Sequence, residues 1–329
     1  MKPVPKTVEK IIDVLKSAKT VCIVGHVRPD GDCIGSQLGL AMALEHAGKE
    51  VTVWNQDPMP DKLRFLDSEK RLRRPQSGRE FDVVVAVDCA SHGRLGTVAN
   101  HIEKRGTLVN IDHHASNDRY GDINWVSPRE PSSGELVYDL CKWAGWKITS
   151  AMANCLFTAV STDTGSFQYA STTPDTLRTA ADLVEDGAEL ANICQEVYQS
   201  YPMTRVKLLR HVYNRFHLVH SNRTAYFWLK KADYNRTGAS TEESEGLIDH
   251  IRAIEGVVVA VVFEEIQPEL TRLSFRSKDD AINVNDIAQH FGGGGHKAAA
   301  GARVEGKPLS VQRRVLNAIR RALDAKGSK

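Results

Sequence analysis

No two cysteines of this chain stand in a C-x-x-C spacing. The six of them, Cys22, Cys33, Cys89, Cys141, Cys155 and Cys194, are scattered, which argues against a zinc ribbon or a disulfide framework. They read as small buried hydrophobes in a reducing compartment. A charge of one sign is also lacking. Lys and Arg number 43 against 41 Asp and Glu, so bulk binding to nucleic acid or to a membrane surface is not expected, and any nucleic-acid contact should be local and small. No apolar run is long enough to span a bilayer. Met1 to Thr20 is charged and amphipathic, without the apolar region of a signal peptide. No internal repeat is visible. These absences point to a soluble, cytoplasmic protein. What remains is a 41% apolar chain of 329 residues, enough for a proper core and for two domains.

Apolar periodicity predicts a helix over 7–19, a strand over 20–24, a helix over 33–47 stopped by Gly48, and a strand over 50–54. Residues 57–80 read as loops with a short helix. Within them Arg71-Leu72-Arg73-Arg74 reads as a solvated loop in preference to a nucleic-acid patch. Strands follow at 81–87 and 107–111. Ser132-Ser133-Gly134-Glu135 has the look of a capping box opening a helix to about Ala144, with further helices at 150–160, 176–185 and 188–198. Such alternation implies an α/β fold, with a mostly parallel, doubly wound sheet. The pattern changes around 200–220, where Pro202 opens a helix that connects two domains. A second, smaller α/β unit follows: strand 224–229, polar stretch 234–243, helix 245–254, strands 257–264 and 271–277, helix 285–290, the glycines 292–295, and helix 310–323. The expected domains are therefore 1–199, a linker helix within 200–222, and 223–329. The tail 327–329 is expected to be disordered.

Gly25-His26-Val27-Arg28-Pro29-Asp30-Gly31-Asp32 crowds a histidine and two aspartates into a turn between strand and helix. Taken alone, it reads equally well as a solvated turn with an Asp near a helix N-cap. Three later segments deliver similar residues: Asp88 after strand 81–87, Asp112-His113-His114 after strand 107–111, and Asp163 from the loop after helix 150–160. Ligands of doubly wound sheets bind outside the carboxyl ends of the strands, so these side chains can converge. Carboxylates and imidazoles without thiolates suit a hard or borderline divalent cation such as manganese or magnesium. So many carboxylates in one cleft repel each other unless cations neutralise them. Two cations ~3.5–4 Å apart are the usual arrangement for phosphoester hydrolysis. Pro29 and Gly31 are expected to keep the chain out of helix long enough to aim Asp30 and Asp32 apart. In the second half, four glycines in a row exceed what a helix stop requires. They let backbone N–H groups approach an anion, to which His296 and Arg276 would add charge-assisted bonds.

In chain order, Gly25-His26-Val27-Arg28-Pro29-Asp30-Gly31-Asp32, Val87-Asp88, Asp112-His113-His114 and Thr162-Asp163-Thr164-Gly165 resemble the four motifs of the DHH phosphoesterases. Phe275-Arg276-Ser277 and Phe291-Gly292-Gly293-Gly294-Gly295-His296 resemble the DHHA1 substrate-binding domain that follows many DHH domains, so the resemblance covers nearly the whole chain. It implies two ions, manganese in preference to magnesium: one held by His26, Asp30 and Asp88, the other by Asp32, Asp88, His113 and Asp163. Asp88 would bridge them, and a shared water or hydroxide would be the nucleophile. It further implies that His114 faces the substrate phosphate and that Asp112 orients a neighbour. Arg276, Ser277, Gly293, Gly294, Gly295 and His296 would hold the substrate's other end, the linker letting a cleft close.

Within the family, the tetraglycine–histidine motif argues against a family II pyrophosphatase. The chain has no room for the extra domain of the RecJ single-strand exonucleases, and it lacks the sensory and membrane segments frequent in cyclic-dinucleotide phosphodiesterases. The compact layout resembles the bifunctional oligoribonuclease (nano-RNase) and 3′-phosphoadenosine-5′-phosphate phosphatase group. That implies hydrolysis of short oligoribonucleotides or linear dinucleotides, and of 3′-phosphoadenosine-5′-phosphate. The alternative from another class is a non-catalytic nucleotide sensor, which would be expected to have lost metal ligands; all are present here. The sequence leaves the oligomeric state open, a homodimer included.

Overall fold

The apolar stripes become two units, one ending at Ser200 and the other beginning at Tyr201, in a computed structural model that describes residues 3–279 and 281–327. The first unit runs α1 (Lys6–Ser17), β1 (Thr20–Val24), α2 (Gly31–His46), β2 (Glu50–Trp54), β3 (Leu72–Arg73), β4 (Phe81–Val87), β5 (Arg105–Asp112), β6 (Ile123–Val126), α3 (Ser133–Ala144), α4 (Ser150–Asp163), α5 (Pro174–Glu185) and α6 (Leu190–Tyr198). Its strand order is β3-β2-β1-β4-β5-β6, and every pairing is parallel. Chain progression reverses between β1 and β4, the place where such a sheet opens a crevice at its carboxyl edge. Both strands are apolar on both faces: Val21 to Val24 and Val83 to Val87 are all buried, as covered parallel strands must be.

α2 is buried from Gly31 through Leu44, because α4 lies directly against it. Three glycines one turn apart allow that approach. A Cβ at Gly31 would come within 2.4 Å of Thr162 Oγ1, at Gly35 within 2.3 Å of the Cys155 carbonyl oxygen, and at Gly39 within 2.7 Å of the Leu156 side chain. The start of α2 is thereby held beside the end of α4.

Several expectations change. Gly31 does not keep the chain out of helix; α2 begins at Gly31, with Asp30 as its N-cap and Asp32 in its first turn. Asp163 is the last residue of α4, not part of the loop after it. Arg71 is not solvated, since it pairs with Glu45 at 3.0 Å and Glu69 at 2.9 Å, while Leu72 and Arg73 form the edge strand β3. Of the capping box expected at α3, the Ser132 half is present, its hydroxyl accepting from Glu135 N at 3.1 Å.

The second unit runs α7 (Met203–Arg215), β7 (His217–Val219), β8 (Thr224–Leu229), α8 (Lys231–Thr237), α9 (Leu247–Arg252), β9 (Val259–Gln267), β10 (Leu270–Ser277), α10 (Val284–Gln289), β11 (Gly294–Gly295), β12 (Ala299–Glu305) and α11 (Pro308–Gly327). The sheet order is β11-β12-β10-β9-β8-β7; β8 and β9 pair in parallel and the rest antiparallel. One apolar cluster joins β9, β10 and β12 to α10 and α11. Another joins β8 and β9 to α7 and α9 through Leu208, Val212, Phe227, Leu247 and Ile251. The segment expected as a linker helix is therefore built into the second unit's core through Leu208 and Val212. α11 continues to Gly327, so the expected disorder does not begin there; Ser328 and Lys329 lie outside the described residues. Among the described residues no helix is long and apolar enough to cross a membrane.

Candidate metal centre

Three strand ends and one helix end of the first unit bring His26, Asp30, Asp32, Asp88, Asp112, His113, His114 and Asp163 together. After β1, the His26 ring lies with Nδ1 2.9 Å from the Val27 carbonyl oxygen, and Val27 N in turn donates to Arg94 O at 2.7 Å. A proton on Nδ1 turns the Nε2 lone pair inward, the orientation a metal-binding histidine needs. Nε2 stands 3.2 Å from Asp88 Oδ2 and 3.7 Å from Asp30 Oδ2. The other Asp30 oxygen accepts from Cys33 N at 3.1 Å, so one carboxylate both caps α2 and faces His26.

The second set gathers around His113 Nε2, which lies 3.6 Å from Asp32 Oδ2, 3.5 Å from Asp88 Oδ1 and 3.4 Å from Asp163 Oδ2. Asp32 is pinned by the first N–H groups of α3: Ser133 N donates to Oδ2 at 2.7 Å, Gly134 N to Oδ1 at 2.8 Å. A helix N-terminus is a favourable place for a carboxylate. Asp88 belongs to both sets, one oxygen toward His26 and the other toward His113. Its backbone takes a left-handed φ of 52°, a conformation costing a non-glycine residue roughly 1–2 kcal/mol, and such local strain is concentrated at functional positions.

Asp112, at the end of β5 and fully buried, lies beside Asp88 and His114, one ligand atom of each within 4.8 Å of the others. Its Oδ1 accepts from His114 Nδ1 at 2.8 Å and its Oδ2 from Asn117 Nδ2 at 2.6 Å. Asn117 Nδ2 also donates to Asn110 Oδ1 at 2.8 Å. This partly buried chain fixes the His114 ring and keeps its proton on Nδ1.

The electrostatics show what such crowding does. Burial pushes the Asp32 carboxyl well above the usual carboxylate range, and the charges of Asp88 and Asp163 add to that. Burial likewise raises Asp163, to about 6, with Asp30 and Asp88 adding and His113 opposing. Burial would raise Asp88 too, but hydrogen bonds from His113 and His26 hold it well below the ordinary value. For His26 burial works downward, yet Asp30 and Asp88 raise it to about 10. Divalent cations would offset the carboxylate charge more strongly than imidazolium protons and would take the Nε2 lone pairs as ligands. The donor set thus fits divalent cations.

Sequence reasoning missed four contributors. Ser133 donates through its hydroxyl to Asp88 Oδ1 at 3.2 Å, and Ser36 through its own to Asp32 Oδ1 at 3.2 Å. Asn117 holds Asp112. Cys33 places Sγ with ligand atoms of His26 and Asp88, all within 4.8 Å of one another; burial raises its pKa and keeps it a thiol. Ser133 reads as a capping residue and Asn117 as a loop polar residue, so only spatial neighbours reveal them.

In the second unit, Arg276 and Ser277 end β10. Arg276 Nη1 donates to the Phe275 carbonyl oxygen at 3.0 Å, while its buried Nε has no hydrogen-bond partner among the described residues. Ser277 Oγ instead closes a turn with Asp279. The glycine run has more structural cause than expected. Gly294 and Gly295 form β11 against β12. A Cβ at Gly293 would lie 2.1 Å from the Gly301 carbonyl oxygen, and one at Gly295 2.6 Å from that of Ala299. Packing leaves room at Gly294, where the nearest atom is 3.8 Å away, and at Gly292, where none lies within 4 Å, although Gly292 takes a left-handed φ of 74°. His296 sits in the turn between β11 and β12, its N donating to Ala299 O at 2.7 Å.

The DHH family N-terminal domain matches residues 20–160 and the DHHA1 domain matches residues 224–325. A Thermus thermophilus protein described as a bifunctional oligoribonuclease and PAP phosphatase is 35% identical, over 99% of this chain and 98% of its own length. A Bacillus subtilis protein of the same description is 29% identical over 90% of this chain and 92% of its own. Among solved structures, an exopolyphosphatase-related protein from Bacteroides fragilis superposes with a TM-score of 0.86 at 25% identity, covering 99% of this chain and 98% of that one. The Thermus thermophilus RecJ structure in complex with Mn2+ shares the fold, with a TM-score of 0.51 at 13% identity over 98% of this chain and 56% of that one.

Proposed function

The chain belongs to the DHH family, with a DHHA1 domain, and is a phosphoester hydrolase; we propose that it cleaves very short oligoribonucleotides and removes the 3′-phosphate of 3′-phosphoadenosine-5′-phosphate, with two manganese ions. The observation that carries this reading is the division of Asp88: Oδ2 lies 3.2 Å from His26 Nε2 and Oδ1 lies 3.5 Å from His113 Nε2. One ion would be held by His26, Asp30 and Asp88, the other by Asp32, Asp88, His113 and Asp163. Mixed imidazole and carboxylate donors favour manganese over magnesium. When bound, such ions supply a nucleophile at neutral pH and positive charge for the phosphoryl oxygens.

The protein's own groups do the rest. The N–H groups of Ser133 and Gly134 keep Asp32 aimed, and the Ser133 hydroxyl does the same for Asp88. Asp112 holds the Nδ1 proton of His114, leaving Nε2 to meet the substrate phosphate and steady charge developing on it. In this reading the second unit recognises the remainder of the substrate through Arg276, Ser277, Gly293, Gly294, Gly295 and His296. The relatives' shared description supports short RNA and PAP as substrates.

The test is a manganese-dependent turnover panel of a dinucleotide, 3′-phosphoadenosine-5′-phosphate, pyrophosphate and a long single strand. The first two should be hydrolysed best. A preference for pyrophosphate or for long strands would displace this reading, and tight dinucleotide binding without turnover would make the protein a sensor.

A further inference from the structure

α7 holds four Lys or Arg and no acidic residue between Met203 and Arg215. Lys207, Arg210, His211, Asn214 and Arg215 recur at i, i+3, i+4, i+7 and i+8, the period of one helix face. With Arg236 and Thr237 of α8, that face lines a groove of about 290 Å³. The carboxylate beside it, Asp233, is already engaged: its Oδ1 lies 2.7 Å from Arg236 Nη2 and 3.2 Å from His211 Nε2. Lys207, Arg210 and Arg215 form no ion pair with any described residue. The surplus is felt inside the groove. Burial lowers the pKa of His211, Asp233 opposes, and Arg236 and Arg215 push it further down. A solvated helix face can carry cations at little cost, but a concave wall concentrates their field.

We propose that this groove is an anion site for the phosphate group of a nucleotide, supplied either free or within the backbone of a short RNA strand. Guanidinium groups present forked donors that match phosphate oxygens. The volume is at the small end of ligand pockets, enough for a phosphate with its sugar. Among the described residues no Phe, Tyr or Trp lines the groove, and the His211 ring is held between Asp233 and Arg236, so bases are not stacked and recognition is independent of sequence. From Lys207 to Arg215 the helix rises about 12 Å, so more than one phosphate of a strand can be engaged. None of these residues belongs to the reaction proposed above.

The experiment uses the full-length protein with manganese. Binding of a fluorescent, cleavage-resistant short RNA and of adenosine 5′-monophosphate is compared for wild type, for Lys207→Gln/Arg210→Gln, and for Arg313→Gln/Arg320→Gln, an equal charge change on α11. All three should melt alike, because these positions are exposed. The groove variant should lose roughly tenfold or more in affinity for at least one probe, and the α11 variant little. If the strand is the ligand, the slope of log affinity against log salt should also fall by about 1.4. Loss for RNA alone identifies strand phosphates, and loss for the mononucleotide alone a free nucleotide. Unchanged binding of both probes, or equal loss in the α11 variant, overturns the proposal.

Discussion

Asp163 links the proposed ion binding to stability. Its folded pKa of about 6 lies above the ordinary carboxylate value near ~3.9. A raised carboxyl stabilises the fold fully below its unfolded pKa, and that contribution is lost as pH rises through the folded one. Without cations, the first unit should therefore be penalised at pH 7.5 relative to pH 5, and bound manganese should remove the penalty. The rise in Tm on adding manganese should accordingly be larger at pH 7.5 than at pH 5, and Asp163→Asn should shrink that difference. Differential scanning fluorimetry at the two pH values measures both. An equal manganese effect at both, in the wild type, would mean that Asp163 does not meet the ion. At this scale the sequence displays the ligand types but not their supports. His26, Asp88 and His113 stand beside strand ends and are visible there. Ser133 and Asn117 act from positions that ordinary capping and loop roles explain equally well.

At the scale of elements, the site depends on how closely α2 and α4 approach. Gly31, Gly35 and Gly39 form the seam, and Thr162, which meets Gly31, is followed at once by Asp163. Gly35→Ala places a methyl group 2.3 Å from a backbone oxygen, which the chain relieves only by moving a helix. It should destabilise the fold by about 1–3 kcal/mol and weaken manganese binding, although residue 35 is not a ligand. Thermal melts and a manganese titration check this; normal affinity with a lowered Tm would confine the glycines to packing. Strands β1, β4 and β5 are legible because burial on both faces leaves a continuous apolar run. β6 is a four-residue edge strand containing Asn124 and was not legible. Nor was β12, whose Ala299-Ala300-Gly301-Ala302 consists of residues that strands use little. Those small residues are there because β11 presses against β12, as the close approach of Gly293 to Gly301 shows.

For the whole molecule, the order of the motifs along the chain carries more than any one of them. His26, Asp88 and Asp112-His113-His114 meet because a parallel sheet brings strand ends to one edge, whatever their separation in sequence, and Asp163 joins them from the end of α4. The division into two units was legible from the change of pattern near residue 200. The place of α7 was not, because its apolar positions are few and become core only against β8 and α9. In the proposed centre Asp88 joins two cation positions that act together. Calorimetric titration of manganese into wild type and Asp88→Ala tests it most directly. Two ions per chain are expected in the wild type, with a loss of affinity at both positions in the variant. A variant that keeps either ion at wild-type affinity would contradict that arrangement.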